Sequence, residues 1–391
     1  MLESNLTNQL KKTLKTSIGN KEIAGANFML IKNGKEVFYH EDGLADLESG
    51  RPITRDSIFR LYSMTKPITA TSVMMLLERG DIDLFDPVSR YIPGFQNQQV
   101  EKNGELVPVS REVNIHDLLN MTSGLVYGGT DKAGQYTDAL FQELGSRLYS
   151  ENAMSTMEFA NCLGKGPLSF EPGSYWQYGT SADVLGAIVE AVSGMRYGQF
   201  LKKEIFEPLE MKDTGFWLPE GKRERLVKTY QDDGEGGLKL YAESHLGIGH
   251  QMDLDPAFES GGAGLVSTID DSAKFTTMLM NQGSLKGVQL LKPGTVKYLT
   301  SAALTDWQQK GFDTWHTLRG HSYGNQMRIM TDCGKAGFIG SQGEYGWDGW
   351  LGAYFSNSPQ EGLTILFMIQ KKDAGTMAIT RKLRNIVFST L

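Results

Sequence analysis

The sequence predicts an α/β (α+β) protein, with an antiparallel sheet flanked by helices and built from both chain ends, and a mainly helical segment inserted between them. Three observations carry this expectation. Near the amino end, Asn33-Gly34 sits between two strand-like runs in ANFMLIKNGKEVFYH, the strongest short hairpin signal available. Near the carboxyl end strand signals return in WLGAYFSNS and LTILFMIQ, separated by the turn sequence PQEG. Between them, VNIHDLLNMTSGL and SADVLGAIVEAVSGM read as helices with long polar connections and no sustained strand alternation. The expected division is residues 1–83 with 241–391 as a sheet-bearing domain and 84–240 as a mainly helical one. A chain of 391 residues is long enough for two or three units.

Element by element, Leu2, Leu6, Leu10, Leu14 and Ile18 recur every four residues and place one apolar stripe on a first helix. Residues 26–40 follow as the hairpin. Ser63 to Arg79 reads as a helix with little polar surface, stopped by Gly80; such a helix belongs inside a large domain. A last helix is expected from about Gly375 to Leu391.

Composition narrows the function classes. A net charge of -7 with no clustered basic run argues against nucleic acid or an anionic membrane as the main partner. The two cysteines, Cys162 and Cys333, have no Cys or His nearby at ligand spacing, so neither a disulfide framework nor a metal site is expected. None of the six histidines lies in H-E-x-x-H or is marked as a triad base, and His116 reads as structural. GGAGLVST is not G-x-G-x-x-G after a strand; its glycines read as a tight turn that brings backbone close to a pocket, and no cofactor is expected. The first twenty residues lack a signal-peptide core, and SVMMLL and TILFMI are too short to span a bilayer, so a cytoplasmic location is expected. No oligomeric state follows from the sequence.

The chemistry-bearing stretch is RLYSMTKPITA. Ser63 and Lys66 stand three residues apart, which puts hydroxyl and amine on one helix face. A serine needs a base to take its proton, and a lysine serves if burial lowers its pKa. The start of a helix adds free N–H groups and partial positive charge that favour an oxyanion. Pro67 is tolerated in a first turn. An S-x-x-K arises by chance about once in a chain this long. Ser63 opens the only one here, and it falls at a helix start.

IFRLYSMTKPITA resembles the nucleophile segment of the serine β-lactamase and penicillin-binding-protein superfamily. VNIHDLLNMTSGL, FEPGSYWQYGTSADVLGAIVEAVSG, PLEMKDTGF, GGAGLVSTIDDSAKF and GWDGWLGAYFSNSP resemble, in order, the branch that holds class C β-lactamases, family VIII esterases and D-aminopeptidases. The resemblance implies a β-lactamase/penicillin-binding-protein-like fold with the active site between its two domains. It implies Ser63 as the acylated nucleophile, Lys66 as its partner base, and Tyr178 as the tyrosine that shuttles a proton between serine and leaving group. Beside an ammonium the Tyr178 phenolate becomes accessible as a general base. Where the family carries K-T-G, this chain has Trp347-Asp348-Gly349, similar to the W-G-G or H-G-G of family VIII esterases; Lys335-Ala336-Gly337 ranks second. The backbone N–H groups of Ser63 and Trp350 then form the oxyanion hole.

Tyr62, Thr180, Trp347, Asp348 and Gly349 are the implied substrate-binding positions. Tyr62, Tyr175, Trp176, Trp347 and Trp350 are candidates for an apolar acyl pocket or for core packing. Asp183 reads as a helix-opening carboxylate.

Losing the K-T-G lysine removes the cation that holds a substrate's free carboxylate, and Thr180 replaces the asparagine that binds an amide side chain. Both changes point to a small-molecule acyl substrate, and to a carboxylesterase acting on short-chain or small acyl esters. A D-aminopeptidase, weak class C-like β-lactamase or D,D-peptidase, an acyltransferase of the same fold, and a non-catalytic module are the alternatives.

Overall fold

Alternation along the central strands sorts their side chains into two apolar layers, which lets one sheet carry helices on both faces. In the first strand Ala26, Phe28 and Leu30 join one cluster while Met29 and Ile31 join the other. The computed structural model describes residues 4–375 and 377–391. Its main sheet has eight strands: β1 (Gly25–Lys32), β2 (Lys35–Asp46), β3 (Arg51–Pro52), β4 (His321–Gly324), β5 (Met327–Met330), β6 (Tyr345–Asp348), β7 (Tyr354–Ser358) and β8 (Leu363–Met368). Their order is β4-β5-β6-β7-β8-β1-β2-β3, with every neighbouring pair antiparallel. The two chain ends meet at β1 and β8, where Phe28 faces Phe367 and Leu30 faces Ile365. The expected fold class holds.

Five helices cover this sheet or organise the site: α1 (Ser4–Gly19), α2 (Lys66–Arg79), α3 (Ser181–Ser193), α4 (Ile269–Met280) and α5 (Ala378–Phe388). On the outer face α1 packs against α5. Leu6, Leu10 and Leu14 of the expected stripe are buried there with Leu383 and Val387; Leu2 lies outside the described residues. Buried Arg384 fastens α5 to the sheet through both oxygens of Glu344 and through Tyr354 Oη and Ser356 Oγ. On the inner face α4 lies on β8, β7 and β1, and α2 packs against α3. Residues 66–76 of α2 are all buried, and Gly80 ends it in the left-handed conformation at φ 76°.

The Asn33-Gly34 turn takes φ 51° and 73°, as a tight hairpin requires. The hairpin runs past its expected end at residue 40, because Gly43 faces Gly25 across the pair and a Cβ on Gly43 would meet Ala24 O at 2.4 Å. Two further hairpins lie in the stretch read as helical, Gln99–Lys102 with Glu105–Pro108 and Thr229–Asp232 with Leu238–Tyr241. The first turns on Asn103-Gly104 at φ 53° and 83°, the same dipeptide signal as the amino-terminal hairpin. Boundaries near residues 84 and 240 are our proposal for dividing the chain. The apolar core itself is continuous from Phe355 through Val73 to Leu185 and Phe200. Among the described residues no helix is long and apolar enough to cross a membrane.

Candidate active site

The segment carrying Ser63 is shaped by close backbone contact from both sides. Tyr62 sits at φ 45°, a region that costs a bulky residue roughly 1–3 kcal/mol. Edge-to-face packing on Trp350, with centroids 5.1 Å apart, and near-complete burial hold it there. Tyr62–Thr65 then forms a 3₁₀ turn, and the α-helix begins only at Lys66. This corrects the expected helix start without separating the pair, because residues i and i+3 eclipse in a 3₁₀ turn. Lys66 Nζ lies 3.2 Å from Ser63 Oγ. Gly349, just after β6, presses on the same segment: a Cβ there would stand 2.1 Å from Leu61 O. Only glycine permits this approach, which brings Trp350 into the cavity wall beside Ser63.

Lys66 is fully buried and makes two further contacts, to Tyr127 Oη at 2.9 Å and to Gly262 O at 2.8 Å. Burial lowers its pKa to about 7, against the opposing charge of Asp183. Gly262 belongs to the glycine turn expected to approach the pocket, and Asp183 fixes that turn. Its carboxylate accepts from Ser260 Oγ at 2.5 Å and from Gly262 N–H at 3.0 Å. Asp183 stands in the first turn of α3, as a helix-opening carboxylate should, and it also ties that turn across to this loop.

Tyr178 lines both cavities with Ser63, and its oxygen accepts from Trp347 Nε1 at 3.0 Å. Burial pushes its phenol well above the ordinary value, with Ser63 and Trp347 opposing. Lys66 Nζ lies over the Tyr178 ring, 4.7 Å from its centroid. Burial thus favours the neutral phenol and the neutral amine, the opposite direction from the ammonium-supported phenolate expected from sequence.

Two cavities open on Ser63, Tyr178 and Trp350. One, of about 330 Å³, continues along Trp315, Trp347 and Asp348; the other, of about 600 Å³, along Tyr62, Tyr127, Phe141 and His245. Among the described residues no lysine or arginine lines either one. Asp348 reaches the smaller cavity while paired at 3.1 Å with buried Arg328. Thr180 is fully buried ahead of α3 and lines neither cavity, and its Oγ1 has no partner. Trp176 is core, and Tyr175 lines neither cavity. Lys335 is exposed and pairs with Asp332 at 3.1 Å, which sets aside the Lys335-Ala336-Gly337 alternative. Tyr127, Trp315 and His245 are site groups that sequence reasoning missed, and the glycine turn was expected at the pocket without the Gly262 carbonyl being assigned to Lys66. A buried lysine needs acceptors, and that need is the one signal that could have prompted a search for Tyr127 and Gly262.

This fold, with a serine and a buried amine sharing one turn at a cleft, defines a serine hydrolase. The Beta-lactamase family model matches residues 10–387, and the chain belongs to that family. It is similar to Esterase EstB of Burkholderia gladioli, 30% identical over 406 aligned positions covering 99% of this chain and 96% of that one. It is also similar to N-acetylmuramyl-L-alanine amidase of Bacillus subtilis, 25% identical over 377 positions covering 89% of this chain and 77% of that one. Among solved structures, "EstCE1, a hydrolase with promiscuous acyltransferase activity" superposes with a TM-score of 0.83 at 23% identity, covering 98% of each chain.

Proposed function

We propose that the protein is a carboxylesterase for short-chain or small acyl esters, working through an acyl-enzyme on Ser63. The observation that carries this reading is the Trp347 Nε1–Tyr178 Oη hydrogen bond. At the place where a lysine would hold a substrate carboxylate, a neutral indole supports the tyrosine, and no cation lines the cleft among the described residues. The likeness to Esterase EstB supports it.

Near neutral pH the Lys66 amine is substantially unprotonated. Gly262 O can only accept a hydrogen, so an N–H is spent there and the lone pair is available to Ser63 Oγ. Ser63 Oγ attacks the ester carbonyl and its proton passes to Lys66. The N–H groups of Ser63 and Trp350 receive the oxyanion. Tyr178 protonates the departing alkoxide and recovers its proton from Lys66. Water repeats the sequence on the acyl-enzyme, releasing the acid and restoring the Ser63 hydroxyl.

Comparing short nitrophenyl esters with a chromogenic cephalosporin tests the substrate class; ester turnover well above cephalosporin turnover is expected, and the reverse order would sink the reading. Trp347→Phe keeps the ring and removes the N–H. Its kcat is expected to fall about tenfold or more, with KM little changed, because the lost bond is to a group whose charge develops during reaction. An unchanged kcat would dismiss the indole from the proton relay.

A further inference from the structure

We propose that the smaller cavity selects esters carrying an ammonium group close to the scissile bond, with Asp373 and the indoles of Trp315 and Trp350 as the cation site; this rests on the esterase reading above. Asp373 lines the cavity that begins at Ser63. One of its oxygens accepts from Trp350 Nε1 at 2.6 Å, which fixes the carboxylate at the edge of the indole. Among the described residues no lysine or arginine pairs with it. The two lysines just before it are directed elsewhere: Lys371 binds Asp232 at 2.8 Å, and Lys372 lies over the Tyr241 ring at 5.1 Å. The other acid of the cavity, Asp348, already has Arg328 and adds no net charge.

Aromatic surface completes the site. Trp315 is 37% exposed, stacks on Trp347 with centroids 6.2 Å apart, and lines the same cavity as Asp373. A carboxylate held at an indole edge, in a cavity that no lysine or arginine lines among the described residues, attracts ammonium and repels carboxylate. Asp373 holds this position at φ 58°, where asparagine is equally tolerated, so Asp373→Asn changes charge and preserves backbone shape.

The cation can sit on either side of the ester, and two substrate pairs distinguish the cases. Acetylcholine is compared with the uncharged acetate in which tert-butyl replaces trimethylammonium. An ethyl ester of a trimethylammonio-acid is compared with its tert-butyl counterpart, acid release being followed by titration. At least one charged ester is expected to exceed its isostere about tenfold in kcat/KM, and Asp373→Asn is expected to bring that ratio towards one. Parity or inversion in both pairs, or a ratio unchanged in Asp373→Asn, overturns the inference. Parity with brisk nitrophenyl acetate hydrolysis leaves the esterase reading standing, whereas no hydrolysis of any ester overturns both.

Discussion

Replacing Ser63 with alanine is expected to lower ester turnover by at least about 10⁴-fold, the scale on which a nucleophile is lost from a site whose other groups survive. The Ser63 hydroxyl lies 3.2 Å from Lys66 Nζ in a cleft shared with Tyr178, and removing it leaves the turn, its Tyr62–Trp350 packing and the Gly349 approach in place. Binding and the oxyanion donors therefore persist, and the residual rate measures what they contribute without covalent chemistry. Steady-state hydrolysis of nitrophenyl acetate checks the rate, and loss of fluorophosphonate labelling checks the position. A Ser63→Ala protein that hydrolyses esters near the normal rate would refute the acyl-enzyme.

Sequence reading reached the pair most closely tied by local geometry. Ser63 and Lys66 are separated by one turn, so any helical form brings them together, and mistaking a 3₁₀ turn for an α-helix cost nothing in proximity. The Asn33-Gly34 hairpin was equally local, whereas Asn103-Gly104, with the same signal, lay in a polar stretch and went unread. The β4–β5 hairpin turns on Asn325-Gln326 at φ 47° and 68°, and a glutamine in the left-handed region gives no warning of itself.

Long-range groups divide by chemistry. Trp347 was located by resemblance, yet its bond to Tyr178 depends on strand register 169 residues away. Tyr127 and Gly262 meet Lys66 only because the middle segment and the glycine turn fold over α2, and no spacing in the chain encodes that meeting. Thr180 illustrates the opposite error. Resemblance placed it where the family's asparagine binds substrate, but the chain turns into α3 at that point and buries its side chain away from both cavities.

Lys66→Met should separate catalysis from stability. Methionine fills the space of the lysine stem, lacks a base, and is expected to reduce kcat about 10³-fold or more, the Ser63 proton then having no acceptor. In the native enzyme the folded pKa of about 7 lies below the unfolded value near 10.4, so the unfolded state binds more protons between those limits. Stability contributed by the neutral buried amine is thus present at high pH, declines as pH falls towards 7, and is lost below it. Methionine removes that proton-linked cost, of order several kcal/mol, while leaving Gly262 O without its donor, a loss of about 1–3 kcal/mol. At pH 7 the variant is therefore expected to unfold at the same or a higher urea concentration than the native protein, despite its inactivity. Native kcat/KM should rise tenfold per pH unit below about 7 and level above it, following loss of the Lys66 proton. A profile flat through that region, or a methionine variant both active and unstable, would remove Lys66 from the role of base.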